Sequence, residues 1–146
     1  MLMSAADQRS YPRLAYYVRV NLPDVINVPI IVNALNNIGQ INMARLRLAL
    51  RWGNIPSVRV ADLDPGTFGE FSPGVNSTEL RISRQVVRDF EAGRGIRTTA
   101  RGGRVYIVGV TILHELVHWG DDQDGIDRPG EEGEEFETAV YGGVVP

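Results

Sequence analysis

The chain has no cysteine and no lysine. Without cysteine there are no disulfides and no thiolate ligands for a metal. All fifteen basic residues are therefore arginine. Codon bias in a GC-rich genome produces that pattern, and it also leaves no side-chain amine for ubiquitin. No apolar run approaches the roughly 20 residues that a membrane-spanning helix needs. The first residues show no basic stretch leading into an apolar one, so no signal peptide is visible. Internal repeats and low-complexity tracts are missing too. A net charge of −3 argues against a nucleic-acid partner. Histidine is scarce, with two in the whole chain.

What is present suffices for a core. A length of 146 residues with 43% hydrophobic and 23% charged residues fits one domain spanning 1–146. Residues 1–12 are polar and predict a loosely held arm. Aromatic and β-branched residues crowd positions 14–22 and predict a strand ending at Pro23. Pro29 opens a helix that Gly39 stops, and a second helix runs from about 42 to 52. Alternation predicts strands over 57–63, 67–71 and 78–83, separated by Asp-Pro-Gly and Ser-Pro-Gly turns. Ser83 is placed to cap a helix over 84–92, with Val86, Val87 and Phe90 as its buried stripe. The basic, glycine-containing stretch 94–104 predicts a mobile loop.

Both histidines fall in one pattern, His114-Glu115-Leu116-Val117-His118. His-Glu-x-x-His places the two imidazoles at i and i+4 on one face of a helix, where they can converge on a single Zn²⁺. Glu115 lies one position round from His114, close enough to reach a water on the metal without ligating it. Zinc lowers the pKa of such a water to about 7, and the carboxylate takes the proton. Ile112, Leu113, Leu116 and Val117 supply the apolar sides of a central helix.

Two histidines leave a ligand to find, and with no third histidine it must be a carboxylate. Nine of the eighteen acidic residues lie between Asp121 and Glu137. After a turn-like stretch over 120–130, the second half of this acidic run predicts a helix. On it Glu135, Thr138, Ala139 and Gly142 share a face, small enough beneath the acid to approach the histidine helix. Glu135 is the preferred third ligand; Glu134, Glu137, Asp121 and Asp122 are the alternatives. Tyr141 or Tyr106 is the candidate donor to a developing oxyanion.

A histidine pair followed by a glutamate on a second helix resembles the gluzincin arrangement. The segments 66–73 (Gly-Thr-Phe-Gly-Glu-Phe-Ser-Pro), 79–83 (Glu-Leu-Arg-Ile-Ser) and 113–121 (Leu-His-Glu-Leu-Val-His-Trp-Gly-Asp), with Phe90 and Glu91, resemble the zincin-like metallopeptidase toxins of bacterial polymorphic toxins and type VI secretion effectors. The resemblance implies an α+β zincin-like fold, with a small twisted, mostly antiparallel sheet packed on an active-site helix and further helices. It implies a zinc-dependent endopeptidase acting on a protein or peptide substrate, with Glu115 as catalytic base and His114, His118 and Glu135 on the metal. It also implies an extended substrate pairing with strand 78–83. Delivery by a secretion system or within a longer toxin, action in a target cell and a cognate immunity protein belong to the same expectation. Two other readings stand beside it: a DNA-associated protease using the arginines of 81–104, and a non-catalytic module that zinc stabilises.

Overall fold

The computed structural model describes residues 1–123 and 131–146. Its first helix, α1 (Ala5–Ser10), is capped by Ser4, whose hydroxyl accepts the Asp7 N–H at 3.1 Å. Residues 1–12 do not hang free as a loose arm. Met1 and Met3 are buried, the Val58 N–H donates to Leu2 O at 2.8 Å, and the Gly53 N–H donates to Met1 O at 2.8 Å.

The stretch 14–22 is helical where a strand was expected. It runs through α2 (Pro12–Tyr16), a π turn (Tyr17–Asn21) and a 3₁₀ segment (Leu22–Asn27). The buried residues are Leu14, Val18 and Leu22, spaced four apart, as one face of a helix requires. That period outweighs the strand preference of the tyrosines and valines between them. Tyr17 projects from the π turn onto Gly109, where a methyl group would stand 2.1 Å from the phenol oxygen.

Helices α3 (Pro29–Asn37) and α4 (Met43–Leu50) follow where proline and Asn42 signal them; Asn42 caps α4 by accepting the Arg45 N–H at 2.8 Å. Strands β1 (Ser57–Ala61), β2 (Gly69–Ser72) and β3 (Asn76–Ser83) form a sheet in the order β1-β3-β2. β3 is the central strand, parallel to β1 and antiparallel to β2. Both its edges are taken, so it cannot receive a substrate by strand addition. Among the described residues, the sheet edge beside the histidines is the outer edge of β2.

Helix α5 (Arg84–Glu91) buries Val86, Val87 and Phe90 as expected, although the Ser83 side chain makes no capping bond. The arginine-rich stretch after it is ordered: β4 (Ile96–Thr98) and β5 (Arg104–Tyr106) pair antiparallel. The Thr99 hydroxyl accepts the Gly103 N–H at 3.1 Å and closes the turn. Three strand pairings among the described residues, two antiparallel and one parallel, give a small mixed α+β fold.

The chain then enters α6 (Ile107–Asp122), the histidine helix, with only His114, His118 and Asp122 outside its buried set. A helix apolar nearly all round must lie inside the molecule. α6 packs on β2 and β3 on one side and on α7 (Glu132–Tyr141) on another. Gly120 permits the contact with Ile41, since a methyl there would stand 2.3 Å from Cγ1 of that residue. α7 ends at Gly142, left-handed at φ 86°. Most of the turn-like stretch expected at 120–130 lies outside the described residues.

Candidate metal centre

The spacing of the pattern does what helix geometry requires. His114 and His118 stand side by side on α6, their ring centroids 5.2 Å apart. Their outward Nε2 atoms meet one carboxylate oxygen, Oε1 of Glu131, at 3.4 Å and 2.8 Å respectively. One donor atom from each of the three residues lies within 4.8 Å of the others. A tetrahedral zinc with bonds of 2.0–2.1 Å has ligand-to-ligand edges of about 3.3 Å, so this donor set fits such an ion. Glu131 caps the amino end of α7, and the same Oε1 accepts the Gly133 N–H at 3.2 Å.

The other ring nitrogens face inward to carboxylates of α7. His114 Nδ1–H donates to Glu137 Oε2 at 2.5 Å, and His118 Nδ1 faces Glu132 Oε2 across 3.4 Å. A carboxylate on Nδ1 keeps the proton there and leaves the Nε2 lone pair for a metal. Burial pulls the His114 pKa down, but the hydrogen bond to Glu137 and the charges of Glu115, Glu137 and Glu131 outweigh it, and the net shift is upward. Glu132 and Glu137 are both buried. Burial of that kind is costly for an acid unless a cation or donor faces it.

Glu115 is buried, 6% exposed, on the side of α6 that meets β2. Its carboxyl is raised above the ordinary glutamate range, chiefly by burial, against the opposing pull of His114 and His118. A carboxylate shifted this way holds a proton more readily than an ordinary glutamate does. His114, Glu115, His118 and Glu131 open on a cleft of ≈ 410 Å³, bounded across from α6 by Gly69, Glu70 and Phe71 of β2.

Glu135 is not brought to the histidines. It is exposed on the outer side of α7, with Glu134, Thr138 and Ala139. The inward face is Gly133, Phe136, Glu137, Val140 and Tyr141. The small-residue face expected to meet α6 therefore faces solvent, because Phe136, Val140 and Tyr141 outbid it for burial. Of the alternatives, Glu137 binds a histidine on the side away from Glu131, while Asp121 and Asp122 line the cleft outside the group of three. Neither tyrosine borders the cleft: Tyr141 packs edge-on against Phe136, and Tyr106 edge-on against Phe90. Burial raises the Tyr141 pKa strongly.

Sequence reasoning passed over Glu131 and two glycines. A methyl group at Gly133 would lie 2.1 Å from His114 Nε2, so only glycine lets α7 come this close. A methyl at Gly69 would lie 2.8 Å from Glu115 Oε1. The signal for the first was a glycine inside the opening turn of an acidic helix, where it costs helix stability unless close approach repays it.

Among the arginines of 81–104, Arg81 pairs with Glu70 and Glu79, Arg84 with Asp62, and Arg94 with Asp89. Among the described residues, no single helix is long and apolar enough to cross a membrane. Neither a curated protein nor a solved structure matches the chain. Residues 7–142, however, match the family model described as metallopeptidase toxin 3, and the chain belongs to that family of metallopeptidase toxins.

Proposed function

We infer that this metallopeptidase toxin is a zinc endopeptidase, with His114, His118 and Glu131 as the metal's protein ligands and Glu115 as general base. The observation that carries the reading is the convergence of both Nε2 atoms on Glu131 Oε1, in the cleft that Glu115 borders. Three protein donors leave a coordination position open, as catalytic zinc sites do and closed structural ones do not. Among the described residues the group holds three. This supports catalysis over a purely structural zinc.

When bound, zinc supplies a Lewis acid that polarises a peptide carbonyl and acidifies water. The chain's residues do the rest. Glu137 holds His114 in the tautomer with Nε2 free, and Glu131 brings a negative charge that balances the cation. Glu115 takes a proton from the attacking water and returns it to the leaving amide nitrogen, which its raised pKa suits. The outer edge of β2, which pairs with no other strand among the described residues, offers its backbone groups to an extended segment laid across the cleft. In this role β2 replaces strand 78–83.

The ion pairs made by Arg81, Arg84 and Arg94 break up the basic stretch and favour a protein substrate over a DNA-bound one. The toxin would meet its substrate in a target cell after delivery, and a cognate immunity protein would protect the producer. The test is direct: zinc-loaded protein is incubated with unfolded protein substrates and the products are mapped by mass spectrometry. Internal cleavage that a chelator stops and zinc restores is expected. Intact substrates at full zinc occupancy would overturn the reading.

A further inference from the structure

Glu137 has both carboxylate oxygens committed, in opposite directions. Oε2 accepts from His114 Nδ1 at 2.5 Å, and Oε1 accepts the buried backbone N–H of Val145 at 2.9 Å. The residue is 4% exposed and sits on the inner face of α7 among Phe136, Val140 and Tyr141. The chain reaches Val145 by reversing at Gly142, whose left-handed φ of 86° turns it back along the helix. Past that turn the segment 142–146 lies against the end of α7 and the β4–β5 hairpin. Val145 is 3% exposed, and Arg97 Nε donates to Pro146 O at 3.1 Å. A second tie comes from the hairpin's turn, where Arg101 Nη2 donates to Ala139 O at 3.3 Å.

We propose that Glu137 is a positioning residue for His114, and that segment 142–146 holds it in place through the Val145 amide. The proposal rests on the reading of His114 as a metal ligand. A lone carboxylate on Nδ1 could swing about its own side-chain torsions and carry the imidazole with it. With the second oxygen anchored to a backbone amide on another segment, that freedom is gone. The ring is then fixed in both rotation and tautomer, with Nε2 aimed at Glu131. His118 is held less closely, because its Nδ1 faces Glu132 across 3.4 Å, beyond the usual N–H···O range. Outer-shell partners of this kind are worth about 10–100-fold in metal affinity. The consequence is that a segment distant in sequence from the histidines tunes how firmly zinc is retained.

The experiment measures zinc release from the loaded full chain into excess chromophoric chelator, beside the d–d absorption of the Co²⁺ form. Glu137→Ala should release zinc about 10–100-fold faster than wild type. Glu137→Gln, which keeps an acceptor and loses the charge, should fall between. Val145→Pro removes the amide proton together with the buried valine side chain, so Val145→Ala, which loses the side chain and keeps the amide, is its control. The proline variant should speed release several-fold and shift the Co²⁺ bands relative to the alanine variant, while the far-UV circular dichroism of both stays native. If Glu137→Ala does not fold, Glu137→Gln and Val145→Pro decide. Wild-type release and an unchanged Co²⁺ spectrum in both would reduce Glu137 to a structural cap and overturn the proposal. Failure of the underlying reading looks different: His114→Ala would then retain zinc as firmly as wild type.

Discussion

Gly69 of β2 lies directly on Glu115. A methyl group at position 69 would stand 2.8 Å from Oε1 of Glu115 and 2.6 Å from Cγ2 of Thr111. Both neighbours belong to a packed helix, so the Glu115 carboxylate has to move if a side chain appears there. Gly69→Ala should therefore keep zinc stoichiometry and lower the catalytic rate by about 10²-fold, the scale of a misplacement near 1 Å. Metal analysis beside kinetics checks this; a fully active alanine variant would show that Glu115 tolerates displacement.

Glu115→Gln keeps the shape of the side chain and removes its capacity to take a proton. Zinc should remain bound, because the ligands are untouched, and proteolysis should drop by about 10²–10⁴-fold. Toxicity in a target cell should fall with it. Undiminished cleavage by this variant would exclude Glu115 as the base.

Glu131 and Glu135 lie four residues apart and make opposite predictions. Glu131→Ala should weaken zinc binding by orders of magnitude and lower the melting temperature of the zinc-loaded protein, since a metal bound to the native state adds to its stability. Glu135→Ala, at an exposed position, should leave both unchanged. Zinc titration of the two variants separates them, and tight binding by Glu131→Ala alongside loss in Glu135→Ala would reverse the assignment.

Tyr17 gives an alkaline signature. Burial, aided by the nearby Tyr106, pushes its phenol from an ordinary 10.0 up to about 12. In the unfolded chain the phenol loses its proton near pH 10, whereas in the native protein it keeps it. Stability linked to this group is therefore complete below pH 10 and declines as pH rises from 10 towards 12. Melting temperatures measured between pH 8 and 11.5 should fall less steeply for Tyr17→Phe than for wild type. Parallel curves would mean that the phenol ionises freely in the folded state.

Local rules carried much of the chain. Pro29 and Asn42 marked helix starts that the structure keeps. Two histidines four apart on a helix must share a face, and no packing could separate them. Elsewhere local preference misled. Residues 14–22 carry strand-forming side chains, yet the burial of Leu14, Val18 and Leu22 imposes a helical period. The arginines and glycines of 94–104 read as a loop, but pairing between β4 and β5 satisfies their backbone groups.

The sequence by itself determined that His114 and His118 share one helix face with Glu115 between them, and that the candidates for a third protein ligand are acids. Only the tertiary structure shows which acid stands against both imidazoles. Nine acidic residues crowd positions 121–137, and helix geometry alone cannot say which side of α7 turns inward. That choice belongs to Phe136, Val140 and Tyr141, whose burial rotates Glu137 onto His114 and leaves Glu135 in solvent. Glu131 reaches the histidines because Gly133 lets the start of the helix touch the imidazole of His114. A periodic pattern is a property of neighbours in the chain, whereas a metal site closes between segments, and their approach is set by the volume of side chains that lie between them.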